Sequence, residues 1–128
     1  MPRTPSSPLL LAGLLVGAAV AHTVAPKQFD ATVPRSLPGS PRRWTYASAV
    51  VELALAAGVA HPRTRRVAAR ATAAFFVGVF PANVKLAVDA RRRSPAVRAA
   101  ALARLPLQVP LVLWARKVGR AATTDLTT

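Results

Sequence analysis

The chain has 128 residues and a formal charge of +14, with 52% hydrophobic and 17% charged residues. This length allows one domain and excludes a large catalytic fold. The absence of cysteine excludes disulfides, thiolate metal sites and a redox-active thiol of the chain's own. A nucleic-acid binder would spread its basic residues along one exposed face. Here they cluster between long apolar runs, so no nucleic-acid partner is expected.

The apolar runs predict membrane-spanning helices. There are four such runs, at residues 4–26, 44–62, 71–84 and 105–115. The only charged residue in them is Glu52, in the second run. A helix that is apolar on every side lies either in lipid or in a deep protein core. A chain this short cannot bury four such helices, so the sequence predicts an integral membrane protein.

Four spans follow in chain order within a single predicted domain, residues 1–128. Each is close to the roughly 20 residues that cross a bilayer. The fourth begins at Ser94-Pro95, because a capping serine followed by proline is a helix-start signal. It contains Pro106 and Pro110, where a kink is expected. The predicted fold is an all-α, integral membrane four-helix bundle with spans at residues 8–24, 44–60, 67–88 and 95–118.

The connection at residues 26–43 contains four prolines and therefore cannot be one continuous helix. Phe29, Val33 and Leu37 recur at every fourth position in it, which favours a short segment lying on the membrane interface. The first span also contains Ala19-Val20-Ala21, which is typical of a signal-peptide cleavage site. We prefer an uncleaved span, because the apolar run continues beyond Ala21.

Small residues recur at four-residue spacing in the first three spans, for example Gly13 and Gly17 in the first and Gly58 in the second. Such spacing lets helices approach closely in lipid. We expect these residues to pack within the chain rather than to form a homodimer seam. Basic residues divide almost equally between the two ends of the spans, so the positive-inside rule assigns no orientation.

Ionisable groups at membrane depth cost at least ~2.5 kcal/mol each on insertion scales, so each one requires a partner or a function. Glu52 in the second span and Arg104 in the fourth lie at about the same depth, roughly 12–14 Å from the side on which both helices begin. We therefore predict a Glu52–Arg104 ion pair. His22 and Asn83 lie near the ends of the first and third spans that reach this same side.

The predicted polar pocket thus draws one or two residues from every span. It comprises His22, Glu52, Asn83, Arg104 and Gln108. Thr45 and Ser48 form a secondary pocket, since they share a helical face with Glu52. An equally weighted alternative is that this network only fixes the register of the bundle.

The polar residues belong to a series of short motifs that resembles the DoxX-like family of small four-helix membrane proteins. The motifs run in order along nearly the whole chain: His22-Thr-Val-Ala-Pro26, Phe29-Asp30, Val33-Pro34, Leu37-Pro38, Tyr46-Ala-Ser48, Glu52, Pro62-Arg-Thr-Arg65, Phe80-Pro-Ala-Asn83 and Arg104-Leu-Pro-Leu-Gln108. The resemblance implies association with a quinone-linked oxidoreductase or an oxidative-stress system. Without cysteine, this chain cannot itself carry out the dithiol chemistry of any thiol-exchanging relative.

The leading hypothesis is a non-catalytic accessory subunit of a membrane redox system, with an oxidoreductase as partner and a quinone as the candidate cofactor. The alternative is a small proton-coupled transporter that uses Glu52, although an arginine partner would oppose protonation of that carboxylate. A lipid-modifying enzyme with His22 or Glu52 as base is disfavoured, because no nucleophile–base constellation is evident. The many arginines and alanines indicate a GC-rich bacterium and thus the bacterial inner membrane.

Overall fold

The computed structural model describes residues 6–125, and the side chains of residues 7–122, as helices joined by short turns. No strand occurs in these residues, which confirms the all-α prediction. The helices are α1 (Ser6–Val24), α2 (Pro26–Asp30), α3 (Pro41–Ala60), α4 (Arg65–Gly78), α5 (Phe80–Asp89) and α6 (Pro95–Asp125), with a 3-10 turn at Ala90–Arg92.

Two serine–proline pairs define the starts of the helices that follow them. The Ser40 hydroxyl accepts a hydrogen bond from the Arg43 N–H at 3.4 Å, and α3 therefore begins at Pro41 rather than at residue 44. The Ser94 hydroxyl accepts from the Val97 N–H, also at 3.4 Å, and α6 begins at Pro95 as predicted. Between α2 and α3 the chain turns through Gly39, whose φ of +83° favours glycine.

Within the predicted span 67–88 the structure breaks the helix at Val79, between α4 and α5. Pro81 has no N–H to donate to the carbonyl of Val77, so the helical hydrogen-bond ladder is interrupted there. The Val79 N–H closes α4 by donating to Phe75 O at 3.0 Å, and the Asn83 N–H donates to Val79 O at 3.2 Å as α5 begins. Pro106 and Pro110, in contrast, lie inside a continuous α6.

The long helices pack as neighbours in a ring. α1 packs against α3, α3 against α4, and α4 and α5 against α6, whereas α1 and α6 touch only sparsely. One link between α1 and α6 is the indole N–H of Trp114, which donates to the Ser7 hydroxyl at 3.0 Å. The core between the helices contains few large side chains, among them Leu11 and Leu15, and many alanines.

The tight turn between α3 and α4 is fixed by side chains that satisfy the last carbonyls of α3. Arg65 donates from Nε to Val59 O at 2.7 Å and from Nη2 to Ala60 O at 2.9 Å. The Thr64 hydroxyl donates to Gly58 O at 2.7 Å. These bonds replace the intrahelical partners that a helix C-terminus lacks.

The close packing of α3 against α4 requires a residue without a side chain at Gly58. A Cβ atom added there would lie 2.6 Å from the Cβ of Ala68 on α4. At Gly13 and Gly17 an added Cβ would have no neighbour within 4 Å, and both residues are exposed. The expectation that Gly13 and Gly17 pack within the chain is therefore wrong, whereas it is confirmed for Gly58.

Within residues 6–125, three helical stretches are long and apolar enough to cross a membrane: Ser7–Val24, Arg65–Arg92 and Pro95–Ala122. The second of these continues across the break between α4 and α5. α3 is not among them, since its first turn carries Arg42 and Arg43 and its middle carries Glu52. Of the four predicted spans, the one at 44–60 therefore lacks this support.

We expect Gly58→Ala to lower the free energy of unfolding by about 1–3 kcal/mol, the usual cost of overfilling a well-packed contact. The matched control is Gly17→Ala, which adds the same methyl group where nothing lies near it and should be neutral or stabilise by up to ~1 kcal/mol. Thermal unfolding of the purified proteins, followed by circular dichroism, measures both. Equal stabilities of the two variants would contradict the close approach of α3 and α4.

Candidate functional site

A buried carboxylate and an imidazole meet between α1 and α3. Glu52 lies on the inner face of α3 and is only 4% exposed. Its Oε2 lies 3.2 Å from Nδ1 of His22, which is in the last turn of α1. The structure therefore brings together two of the predicted pocket residues in one ion-pair contact.

The predicted Glu52–Arg104 pair is wrong. Arg104 is exposed, and within the described residues the ion-pair partner of Glu52 is His22. α3 packs against α1 and α4, whereas α6 packs against α4 and α5, so equal depth does not make Glu52 and Arg104 neighbours. Arg104 nevertheless lies close enough for its charge to act on the His22 imidazole.

The His22 ring is fixed by its own helix and by α2. Nδ1 donates to the carbonyl of Ala18 at 2.7 Å, and the Phe29 ring stacks on the imidazole with centroids 3.9 Å apart. A carbonyl oxygen can only accept, so we assign the hydrogen to Nδ1, which leaves Nε2 to gain or lose a proton. Glu52 Oε2 accepts no hydrogen bond from any described residue.

Asp30, the last residue of α2, fastens that short helix to α3. Its Oδ1 accepts from the Thr45 hydroxyl at 2.6 Å and its Oδ2 from Arg42 Nε at 2.8 Å. The Thr45 hydroxyl and then the Arg42 guanidinium hold the pKa of the Asp30 carboxyl below its ordinary value of 3.8. Because Phe29 precedes Asp30, these bonds also hold the aromatic ring over His22.

A second polar pair lies between α5 and α6. Asn83 donates from Nδ2 to Gln108 Oε1 at 2.9 Å. Gln108 is 8% exposed, and its Nε2 has no hydrogen-bond partner among the described residues. Among the described residues no hydrogen bond or ion pair joins these two residues to His22 and Glu52, so the polar side chains form two separate contacts, His22–Glu52 and Asn83–Gln108.

The two residues of the predicted secondary pocket differ in burial and in contacts. Thr45 is buried but is engaged by Asp30, while Ser48 is half-buried on the same face of α3. Sequence reasoning missed Asp30, although Phe29-Asp30 was one of the resemblance motifs. Because the chain has only four acidic residues, each of them could have been considered as a candidate for a structural contact. The partners of Asp30, however, depend on how the connection at residues 31–40 folds back.

The His22–Glu52 contact can hold or release a proton, since both groups change charge on protonation. His61, the other histidine, lies in the turn after α3, where its Nδ1 accepts from the Arg63 N–H at 3.2 Å. In the part of the chain that the structure describes, no three His, Asp or Glu side chains form a metal-ligand cluster. The His22–Glu52 contact itself offers proton exchange and hydrogen bonding.

Asp30 predicts a specific loss of stability in acid. Because its folded-state pKa lies below 3.8, its contribution is present above that pH and is lost as the pH falls through the lowered pKa. The wild-type protein should therefore be more stable than Asp30→Asn near neutral pH, and the difference should vanish in strong acid. Thermal unfolding between about pH 6 and about pH 2 measures this difference.

Thr45→Val is the matched variant for this experiment, because it keeps the carboxylate and removes the first cause of the lowered pKa. Its pH-dependent loss should be smaller than that of the wild type and should be complete at a higher pH, because the pKa of Asp30 is then lowered less. Parallel pH profiles for wild type and Asp30→Asn would show that Asp30 makes no such contribution.

Residues 11–119 match a family profile described as "Domain of unknown function (DUF8561)". This range includes every residue of the two polar contacts. No curated protein matches the chain, and no solved structure does either. Because the match covers most of its length, the chain belongs to the DUF8561 family.

Proposed function

We propose that the chain is an integral membrane protein of the bacterial inner membrane, in which α1, α3, α4–α5 and α6 form a four-helix bundle across the bilayer. Three of these stretches have the required length and hydropathy. α3 packs along α1, so it crosses with its neighbour although its own first turns are polar. In this arrangement α2 covers the end of α1 at the membrane surface.

The distribution of large apolar side chains supports this location. Leucines and valines point outward from the long helices, with Leu10 63%, Val67 72% and Val109 61% exposed. The core, in contrast, is built mainly from alanines. Soluble monomers rarely expose contiguous apolar surfaces of this kind, whereas in lipid such surfaces are solvated and helices associate through small residues.

The absence of cysteine permits a direct test with single-cysteine variants. Leu10→Cys and Val109→Cys place the thiol on outward apolar faces, and Arg63→Cys is the matched control in an exposed turn. In intact membranes a membrane-impermeant maleimide should label Arg63→Cys from one side only and should leave the other two unlabelled. Equal labelling of all three, or release of the chain by alkaline carbonate, would contradict membrane insertion.

Within this membrane protein, we propose that the His22–Glu52 pair is the proton-binding site of an accessory, non-catalytic subunit in a quinone-linked redox system. The observation that carries the proposal is the 3.2 Å contact between a buried carboxylate and an imidazole whose other ring nitrogen is free to titrate. Quinone reduction consumes protons together with electrons. For each quinone reduced to a quinol, an oxidoreductase partner would supply two electrons, as the resemblance to DoxX-like proteins implies. The pair would pass on the two protons one at a time and would regain each from water.

A small proton-coupled transporter is the second candidate. Its support is that Glu52 contacts His22, which can be neutral, rather than a permanently charged arginine. Such a carboxylate can alternate between its protonated and ionised forms during transport. Both candidate functions therefore rest on His22 and Glu52. They differ in the ligand, which is a quinone for the redox subunit and a transported solute for the transporter.

We expect Glu52→Gln and His22→Gln each to weaken quinone binding by roughly ten- to hundredfold, since a hydrogen bond involving a charged group contributes about 1.5–3 kcal/mol. The matched control is Ser48→Ala, on the same face of α3, which should bind like wild type. Quinone retained after mild-detergent purification, together with mass spectrometry of co-purified proteins, measures the effect. Circular dichroism checks that each variant is folded.

Folded variants that retain quinone and partner at wild-type levels would contradict the accessory-subunit proposal. Proton flux in liposomes then tests the transporter. Flux that depends on Glu52 but not on Ser48 would support that candidate, and flux unaffected by Glu52→Gln would contradict it.

A further inference from the structure

Two surface grooves meet at the point where α5 begins. The first, of about 430 Å³, is apolar and runs between this point and α6, with Val109, Val112 and Leu113 along its wall. The second, of about 980 Å³, lies between α5 and the connection that precedes α3. Phe80 and Pro81 line both grooves, so the two adjoin at these side chains.

The second groove is basic. It is lined by three cations, Arg35, Lys85 and Arg93, and by one carboxylate, Asp89. Lys85 Nζ donates to Asp89 Oδ2 at 2.7 Å and also to Ala31 O at 2.7 Å. The carboxylate is therefore compensated within the groove, and the charges of Arg35 and Arg93 remain as an excess on two exposed side chains.

The two grooves follow one another along the direction of the helices. α5 runs from Phe80 towards Asp89, about 13 Å further on at 1.5 Å per residue, and Arg93 follows directly after the 3-10 turn. The apolar side chains that α6 contributes, Val109, Val112 and Leu113, lie well inside a helix that begins at Pro95. The basic groove is thus at the end of the bundle and the apolar groove is towards its middle.

We propose that this joined groove binds one anionic phospholipid of the surrounding bilayer, with its phosphate against Arg35 and Arg93 and an acyl chain along Val109, Val112 and Leu113. The inference rests on the membrane location proposed above but not on the function of the His22–Glu52 pair. The apolar groove matches a hydrocarbon chain, and the excess positive charge matches an anionic headgroup. A zwitterionic headgroup brings its own cation and offsets that attraction.

Native mass spectrometry of the full-length protein in mild detergent tests the headgroup, with dioleoyl phosphatidylglycerol and dioleoyl phosphatidylcholine as probes. We expect one phosphatidylglycerol to bind in preference to phosphatidylcholine. Arg35→Gln/Arg93→Gln should weaken phosphatidylglycerol binding by about 30-fold, from the usual contribution of two cations at an anionic lipid surface. Arg43→Gln/Arg63→Gln removes the same charge from exposed positions outside the groove and should retain the preference.

The acyl chain is tested separately with Val109→Trp, which fills the apolar groove, and with Leu102→Trp, which adds the same ring to an exposed position of α6 outside it. Only Val109→Trp should reduce phosphatidylglycerol binding. Equal occupancy by the two lipids in wild type would overturn the lipid site. So would equal effects of the two double arginine variants, or of the two tryptophan variants. A chain that inserts into membranes but shows no lipid preference would overturn this inference alone, whereas a chain that does not insert would overturn the membrane location first.

Discussion

Burial of a carboxylate among apolar side chains is unfavourable unless a partner compensates it, and Glu52 imposes this requirement on the whole first half of the chain. Its partner is His22 at the end of α1, which is covered by Phe29 of α2. The next residue, Asp30, binds α2 to α3, because its carboxylate accepts a hydrogen bond from the Thr45 hydroxyl. Three helices are therefore arranged around one buried carboxyl group.

The remainder of the bundle depends on small residues instead of large ones. α3 and α4 approach so closely at Gly58 that no additional methyl group fits, and the core beside them is mostly alanine. A core of small side chains has little apolar area to remove from water, so it would stabilise a soluble domain poorly. In lipid the same close contact is effective, because dispersion between backbones drives association there.

Features that involve adjacent residues could be predicted from the sequence, whereas the arrangement of the helices beside one another could not. Ser94-Pro95 gave the correct start of α6 because capping involves only adjacent residues. Three internal prolines look alike in sequence, yet Pro81 separates two helices whereas Pro106 and Pro110 do not. The depth calculation found the residues that need partners, but it could not show that His22, rather than Arg104, is the neighbour of Glu52. Helical rise fixes the height of a group and leaves its position around the ring undetermined.

The hydrogen bond from Trp114 to Ser7 joins the beginning of α1 to the second half of α6, while these two helices otherwise touch only sparsely. Along α6, Pro106 and Pro110 lie on the side of Trp114 that leads towards Arg104, and each removes one backbone hydrogen bond. If α1 and α6 moved apart, they would therefore stay joined at Trp114 and diverge along their length. The widest gap would lie beside His22. In the membrane location proposed above, that gap would open towards the lipid and not towards the aqueous phase.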